Sequence, residues 1–390
     1  MDSRKQSILV ITGETSGETH AAGLIEQMKL QNPHQSLDWF GSGGSHMAAA
    51  GVELLSDVSQ LGAIGTWDAL ALMGRYFSLY RNVLKEAERR RPLLAVLVDF
   101  PDFNLRIVGK LKALNIPICY FIGPQVWAWR QSRLKQIKRC VDLMLVILPF
   151  EEAFFRDRGI EAHYVGNPCT KLRRFLSEDK DSCPDSKPYT VALLPGSRTR
   201  EVENILPIQL DAASWIAQRH SVRFWIVKAP EIHSDRLQKI YDRWRKNGKG
   251  EISLEIRHEE ASELLSRACC AIVKSGTSTL EAAILQVPFA MVYRLPRVSY
   301  FLARPRVKTA AYCLPNLIAG EQVVPEFVQS QAKGEKIGDY LSELLGDRKR
   351  RDEVRNGLLR VTEKLGDGDA YCEGARHITQ FLKKSWMMQG

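Results

Sequence analysis

Short apolar runs that close in a glycine- or hydroxyl-bearing loop and give way to a helical stretch recur along this chain. That alternation constrains its fold more than any single motif. Residues 7–12, 93–98, 116–122, 140–148 and 162–165 are such runs in the first half, and 190–194, 222–227, 252–256, 271–273 and 289–293 repeat the pattern in the second. A run such as 93–98 is apolar at every position rather than at alternate ones, as in parallel strands covered on both faces. Strands alternating with helices predict an α/β fold of doubly wound, Rossmann-like sheets, whose ligands bind beyond the carboxyl ends of the strands. With 390 residues and the alternation starting twice, two domains are expected. They are 1–170 and 189–365, joined by the polar, charged stretch 171–188 and followed by a terminal helix within 366–390.

The loops at the predicted strand ends carry the chemistry. Ser275-Gly276-Thr277-Ser278 lies between an apolar strand and a helix entered at Leu280. Free N–H groups at a helix start, with the positive end of the helix dipole, form an anion site, and a glycine lets the anion approach the backbone. Ser275, Thr277 and Ser278 add hydroxyls. Glu281, about one turn after Thr277, can accept from a diol attached to the phosphate, which is the outline of a nucleotide-sugar site. The plainer alternative is a Ser/Thr-rich N-cap followed by a surface Glu. Pro195-Gly196-Ser197-Arg198 repeats the arrangement at another strand end, with Arg198 able to grip phosphate bidentately. The helix 199–217 after it is expected to be interrupted at Pro207. Asn316, polar in an apolar loop, either satisfies backbone groups or reads a ligand.

In the first half, the loop from Gly13 to Glu18 follows a strand but lacks the G-x-G-x-x-G dinucleotide pattern. Asp99-Phe100-Pro101-Asp102 stands at the carboxyl end of 93–98. A carboxylate held there among apolar groups suits a general base toward a sugar hydroxyl. Asp102 equally suits an N-cap for the next helix, which leaves Asp99 as the preferred base. Trp127, Trp129 and Arg130 form either an apolar, cationic lip for a substrate or plain loop packing. Residues 61–73 mix apolar bulk with glycine and read as a packed helix or a second part of such a lip.

Lys and Arg outnumber Asp and Glu by 55 to 45, a formal net charge of +10. This favours nucleotides, nucleic acid or an acidic membrane surface as partners. No stretch is long and apolar enough for a signal peptide or a membrane span. The eight cysteines show no C-x-x-C pairing and several sit in apolar runs, so reduced thiols, a cytoplasmic setting and no structural metal are expected.

Taken together, Gly13-Glu14-Thr15-Ser16-Gly17, the segment 99–104, the segment 124–130, the segment 193–198 with Glu201, Ser275-Gly276-Thr277 with Leu280-Glu281, and the segment 314–320 resemble the lipid-A-disaccharide synthase family, in the family's order. The resemblance implies a GT-B fold, two Rossmann-like doubly wound domains facing a central cleft. C-terminal helices would cross back onto the first domain or onto a partner subunit. It implies an inverting glycosyltransferase that needs no metal and no cofactor. The reaction would join UDP-2,3-diacylglucosamine to 2,3-diacylglucosamine 1-phosphate, giving the β-1,6 lipid A disaccharide 1-phosphate and UDP. Catalysis would fall to Asp99, Asp102 and Glu14, and acceptor and lipid binding to Ser16, Met73, Trp127, Trp129 and Arg130. UDP would bind Ser197, Arg198, Ser275, Gly276, Thr277, Ser278, Glu281 and Asn316. A peripheral protein on the inner face of the cytoplasmic membrane is implied, able to form a homodimer and without a nucleic-acid partner. The chain departs from the family's pattern at Thr15, Glu18 and Asn167, where Ala, Asp and His are usual. Asn167 cannot titrate near neutral pH, so any acid–base role of that histidine is absent here.

Two rivals follow from the same residues. A UDP-sugar 2-epimerase of this fold would share the second-half site but has no use for a tryptophan-lined lip. A non-enzymatic binder of anionic membrane or nucleic acid would use the cation-rich helices 76–91 and 232–249, but not a phosphate-and-diol loop.

Overall fold

The computed structural model describes residues 6–34, 37–57, 69–176, 187–296, 300–301, 304 and 309–387. The expected apolar lip at 61–68 lies outside the described residues, and so do the side chains of 69–73, Met73 included.

The chain divides into two compact units, Met1–Pro168 with Asp367–Gly390, and Cys169–Gly366. The first is built on seven strands, β1 (Ser7–Ile11), β2 (Asp38–Gly43), β3 (Val52–Asp57), β4 (Leu94–Val98), β5 (Ile118–Phe121), β6 (Leu143–Val146) and β7 (Ala162–Tyr164). They lie in the order β3-β2-β1-β4-β5-β6-β7, and every pairing is parallel. The second unit carries β8 (Tyr189–Leu194), β9 (Val222–Val227), β10 (Leu254–Arg257), β11 (Cys270–Lys274), β12 (Phe289–Tyr293) and β13 (Glu326–Val328). Its order, β10-β9-β8-β11-β12-β13, again all parallel, repeats the same winding.

This winding positions the candidate sites. Strand order reverses between β1 and β4 and between β8 and β11, so successive helices leave to opposite faces there. The loops beyond the carboxyl ends part to leave a crevice. Gly13 and Asp99 follow the first pair of strands, and Gly196 and Ser275 follow the second.

The apolar runs are buried on both sides, as parallel strands require. On one face of the first sheet Leu9, Ile11, Ala95 and Leu97 pack with Leu79 and Val83 of helix Ala69–Arg90 and with Ile107 and Val108 of helix Pro101–Ala113. On the other, Ile8, Val10, Val96 and Val98 pack with Leu24 and Ile25 of helix Thr15–Gln31 and with Ala375 and Ile378 of the last helix, Ala370–Met387. That last helix is tied to Thr15–Gln31 and the residue after it by polar contacts. His20 Nδ1 lies 2.9 Å from the Tyr371 hydroxyl, and Asn32 Nδ2 donates to Thr379 Oγ1 at 3.0 Å. The Tyr371 ring fills the space over Gly23, where an added Cβ would stand 2.9 Å from it.

Helix Thr199–Ala217 runs through Pro207 without interruption. Proline removes one backbone bond, but its neighbours Ile205, Leu206 and Ile208 are buried. Gln209 Nε2 also donates to the Ile272 carbonyl at 2.9 Å. Packing on the sheet outweighs the missing bond.

Candidate active site

At the switch point of the first unit, three of the motifs meet. The Phe100 ring lies against Gly13, where a Cβ would come within 2.1 Å of it. Asp99 and Phe100 both take φ of +47°, a left-handed conformation that costs each residue about 1–2 kcal/mol. The Asp99 carbonyl is held there by Asn104 Nδ2 and the Tyr120 hydroxyl, each donating at 2.7 Å. Phe100 stacks on Phe103 with ring centroids 5.5 Å apart. Two strained residues fixed by buried partners at a crevice are the usual mark of a site under constraint, and they set Asp99 half-buried at the crevice.

Asp102 does not cap the helix. The helix begins at Pro101, with Phe100 in the N-cap position, and Asp102 turns instead to Arg130 Nη1 at 2.8 Å and to Arg133. Burial raises its carboxyl, but the Arg133 hydrogen bond and the charges of Arg133 and Arg130 outweigh burial and hold it below its ordinary value. An acid kept ionised by two guanidinium groups is a poor proton acceptor, so its geometry is that of an anchor for the Arg130 loop. Glu14 and Asp102 both face Tyr76, whose hydroxyl is raised first by burial and then by these two carboxylates. Ser16 is exposed in the first turn of Thr15–Gln31.

The two tryptophans separate. Trp127 is only 8% exposed, its Nε1 donates to Glu151 Oε1 at 2.8 Å, and its ring meets Phe150 edge-on at 5.0 Å. Its indole is committed to packing and cannot also wall a substrate. Trp129 is 43% exposed, with the Arg130 guanidinium 4.2 Å above its ring, so among the described residues of 124–130 this pair is what remains of the apolar, cationic lip. Asn167 is buried and donates to the Ile147 carbonyl at 2.9 Å.

The second unit carries a cavity of about 560 Å³ at its own switch point. Ser197, Ser275, Gly276, Thr277, Ser278 and Glu281 line it. Helix Thr277–Ile284 starts there, with Gly276 in the N-cap position at φ +153°, a region open to glycine alone. The N–H groups of Thr277 and Ser278 are the first of that helix and have no partner one turn back. Glu281 sits on the wall with its carboxyl raised by burial and, secondarily, by the Glu260 charge.

Two of the expected UDP-binding side chains are engaged within the protein. The Ser275 hydroxyl donates to the Tyr312 carbonyl at 2.8 Å, so it can only accept from a ligand. Asn316 is not a ligand reader. Its Nδ2 donates to the Val324 carbonyl and to Glu326 Oε1, and its Oδ1 accepts from the Val323 and Val324 N–H groups, all near 2.9–3.0 Å. An amide has four such places, and here all are filled. Glu326 in turn accepts from the Tyr312 and Cys313 N–H groups, so the clasp holds the loop behind Ser275.

Arg198 lies outside the lining. It is 70% exposed, with Nη1 3.8 Å from Glu201 Oε1. Lys274, Lys228, His258 and Glu259 belong to no motif that announces a ligand, yet all four line the cavity. Lys274 ends an apolar strand, and Lys228 and His258 follow β9 and β10. Only the strand order, which sequence does not state, sets the ends of β10, β9, β8 and β11 in one row.

Comparison with known proteins yields a match over most of the chain. The family described as lipid-A-disaccharide synthetase matches residues 8–373. A lipid-A-disaccharide synthase of Myxococcus xanthus is 38% identical over 386 residues, covering 96% of this chain and 97% of that protein. Among solved structures, the calicheamicin glycosyltransferase CalG4 is similar with a TM-score of 0.57 at 15% identity, covering 97% of this chain and 99% of that one. A UDP-GlcNAc 2-epimerase from Neisseria meningitidis, bound to UDP-GlcNAc, is similar with a TM-score of 0.56 at 11% identity, covering 97% and 100%. At such identities the structural likeness shows the fold, which transferases and epimerases share.

Proposed function

The chain belongs to the lipid-A-disaccharide synthase family, and on that premise we propose how it carries out its reaction. It is a glycosyltransferase of lipid A biosynthesis; the family match along the chain sets aside the epimerase and the non-enzymatic binder. The second unit binds the donor, UDP-2,3-diacylglucosamine, and the first binds the acceptor, 2,3-diacylglucosamine 1-phosphate. The diphosphate lies on the Thr277 and Ser278 N–H groups, and Glu281 accepts from the ribose diol. The acceptor 6-hydroxyl attacks the anomeric carbon from the face opposite UDP. The new C–O bond forms as the bond to the diphosphate breaks, and the hydroxyl proton passes to Asp99. The helix start and Arg198 stabilise the charge that develops on UDP. Ser16, Trp129 and Arg130 meet the acceptor, and Glu14 orders the loop around it.

What carries this reading is the joining, in one cavity, of a helix start opened by Gly276 and a half-buried carboxylate one turn on, Glu281. Lipid substrates, the net charge of +10 and the exposed Phe77 and Trp129 support peripheral binding to an anionic membrane, here the inner face of the cytoplasmic membrane. No helix among the described residues is long and apolar enough to cross one. A homodimer completes the proposal, with sedimentation as its test. The reaction is tested by UDP release from UDP-2,3-diacylglucosamine, with and without acylated glucosamine 1-phosphate, in EDTA. UDP formed only when both lipids are present is expected. Conversion of unacylated UDP-GlcNAc alone, with no lipid-dependent turnover, would overturn it.

A further inference from the structure

We infer that Lys274 is the cation that receives the diphosphate in the second unit's cavity, ahead of the exposed Arg198; this rests on reading that cavity as the UDP site. Lys274 closes β11, and its side chain is 19% exposed. Its Nζ donates to Glu201 Oε1 at 2.9 Å, and Glu201 stands in the first turn of helix Thr199–Ala217. Two glycine positions locate the ammonium. A Cβ added at Gly276 would meet Lys274 Nζ at 3.8 Å, and one added at Gly196 would meet its Cδ at 3.5 Å. The side chain thus runs between the two glycine loops that the strand reversal brings together, and it ends beside the start of Thr277–Ile284.

Charge decides what this placement does. A helix start offers about half a positive charge, less than a departing nucleoside diphosphate carries. An ammonium has three donors, and Glu201 takes one. The others are left for an anion at the neighbouring helix start, where Nζ stands 3.8 Å from a Cβ built at Gly276. Arg198 shares the same Glu201 oxygen at the longer 3.8 Å and is 70% exposed, so solvent screens it more. Lys274 therefore provides, from inside the cavity, fixed positive charge for the leaving group.

Binding of UDP and of uridine to wild-type protein, Lys274→Met and Lys274→Arg, measured by calorimetry at two salt concentrations, separates the contributions. A charge-assisted contact of this kind predicts UDP binding about 10- to 100-fold weaker in Lys274→Met. Uridine binding should stay within about 3-fold, and Lys274→Arg should recover most of the UDP affinity. Lys274→Gln reads the same contrast if the Met variant does not fold. Equal UDP affinity in wild type and Lys274→Met, or equal weakening of UDP and uridine, overturns the role of Lys274 while leaving the UDP site in place. Wild-type protein that binds no UDP overturns both.

Discussion

Replacing Glu151 with Gln should abolish a pH dependence built into the first unit. Glu151 is 2% exposed. Its Oε1 accepts from Trp127 Nε1 at 2.8 Å, and its Oε2 from the Leu148 and Ile147 N–H groups at 3.0 and 3.3 Å. Burial raises the carboxyl from an ordinary 4.5 to about 7 in spite of these three donors. Between those values the folded protein holds a proton that the unfolded chain has released. The contribution is therefore full below about pH 4.5 and is lost as pH rises through about 7. The gap, at about 1.4 kcal/mol per pH unit, amounts to about 3 kcal/mol. In a unit of this size that is about 6–12 °C in melting temperature. Gln does not titrate, and its amide nitrogen must face an N–H donor, which adds to the variant a cost that does not depend on pH. Scanning calorimetry of both proteins at pH 5 and pH 8 should show the wild-type advantage shrinking by about 3 kcal/mol at the higher pH. An advantage equal at the two pH values would refute the account of a carboxyl perturbed by burial. The variant also loosens Trp127, so acceptor KM should rise more than donor KM.

Asp99→Asn should lower kcat about 10²- to 10⁴-fold with UDP affinity unchanged; near-full turnover by folded protein would remove Asp99 as the base. Gly276→Ala meets nothing closer than 3.8 Å, so its cost is backbone alone, about 1–3 kcal/mol. It should lower the melting temperature and weaken UDP binding together, and an unchanged melting temperature would contradict a glycine-only N-cap. Asn316→Ala should cost about 1–3 kcal/mol for each buried group left unpaired, with donor KM nearly unchanged. Full stability with a raised donor KM would return Asn316 to the UDP site.

Elements whose cause is local were legible from residues alone. Five consecutive apolar residues at 94–98 cannot leave either face wet, so a buried parallel strand follows, and a glycine between strand and helix at 276 announces an anion site. Roles that depend on what approaches from elsewhere were not legible. Trp127 and Trp129 stand two residues apart, yet Glu151 and Phe150 bury one and leave the other exposed. Asp102 has the sequence position of a cap, but two arginines some thirty residues on claim it. Asn316 by sequence alone suits either a ligand or the backbone, and the chain at Val323–Glu326 fills all four places on its amide. Sequence by itself determined the α/β class, the doubling of the sheet, the family and the motif loops, because patterning and helix-end chemistry act over a few residues. Tertiary structure alone decided which loops share a crevice and which cations line it. Strand order is set by long-range packing, and it placed Lys274 beside Glu201, seventy-three residues away in the chain.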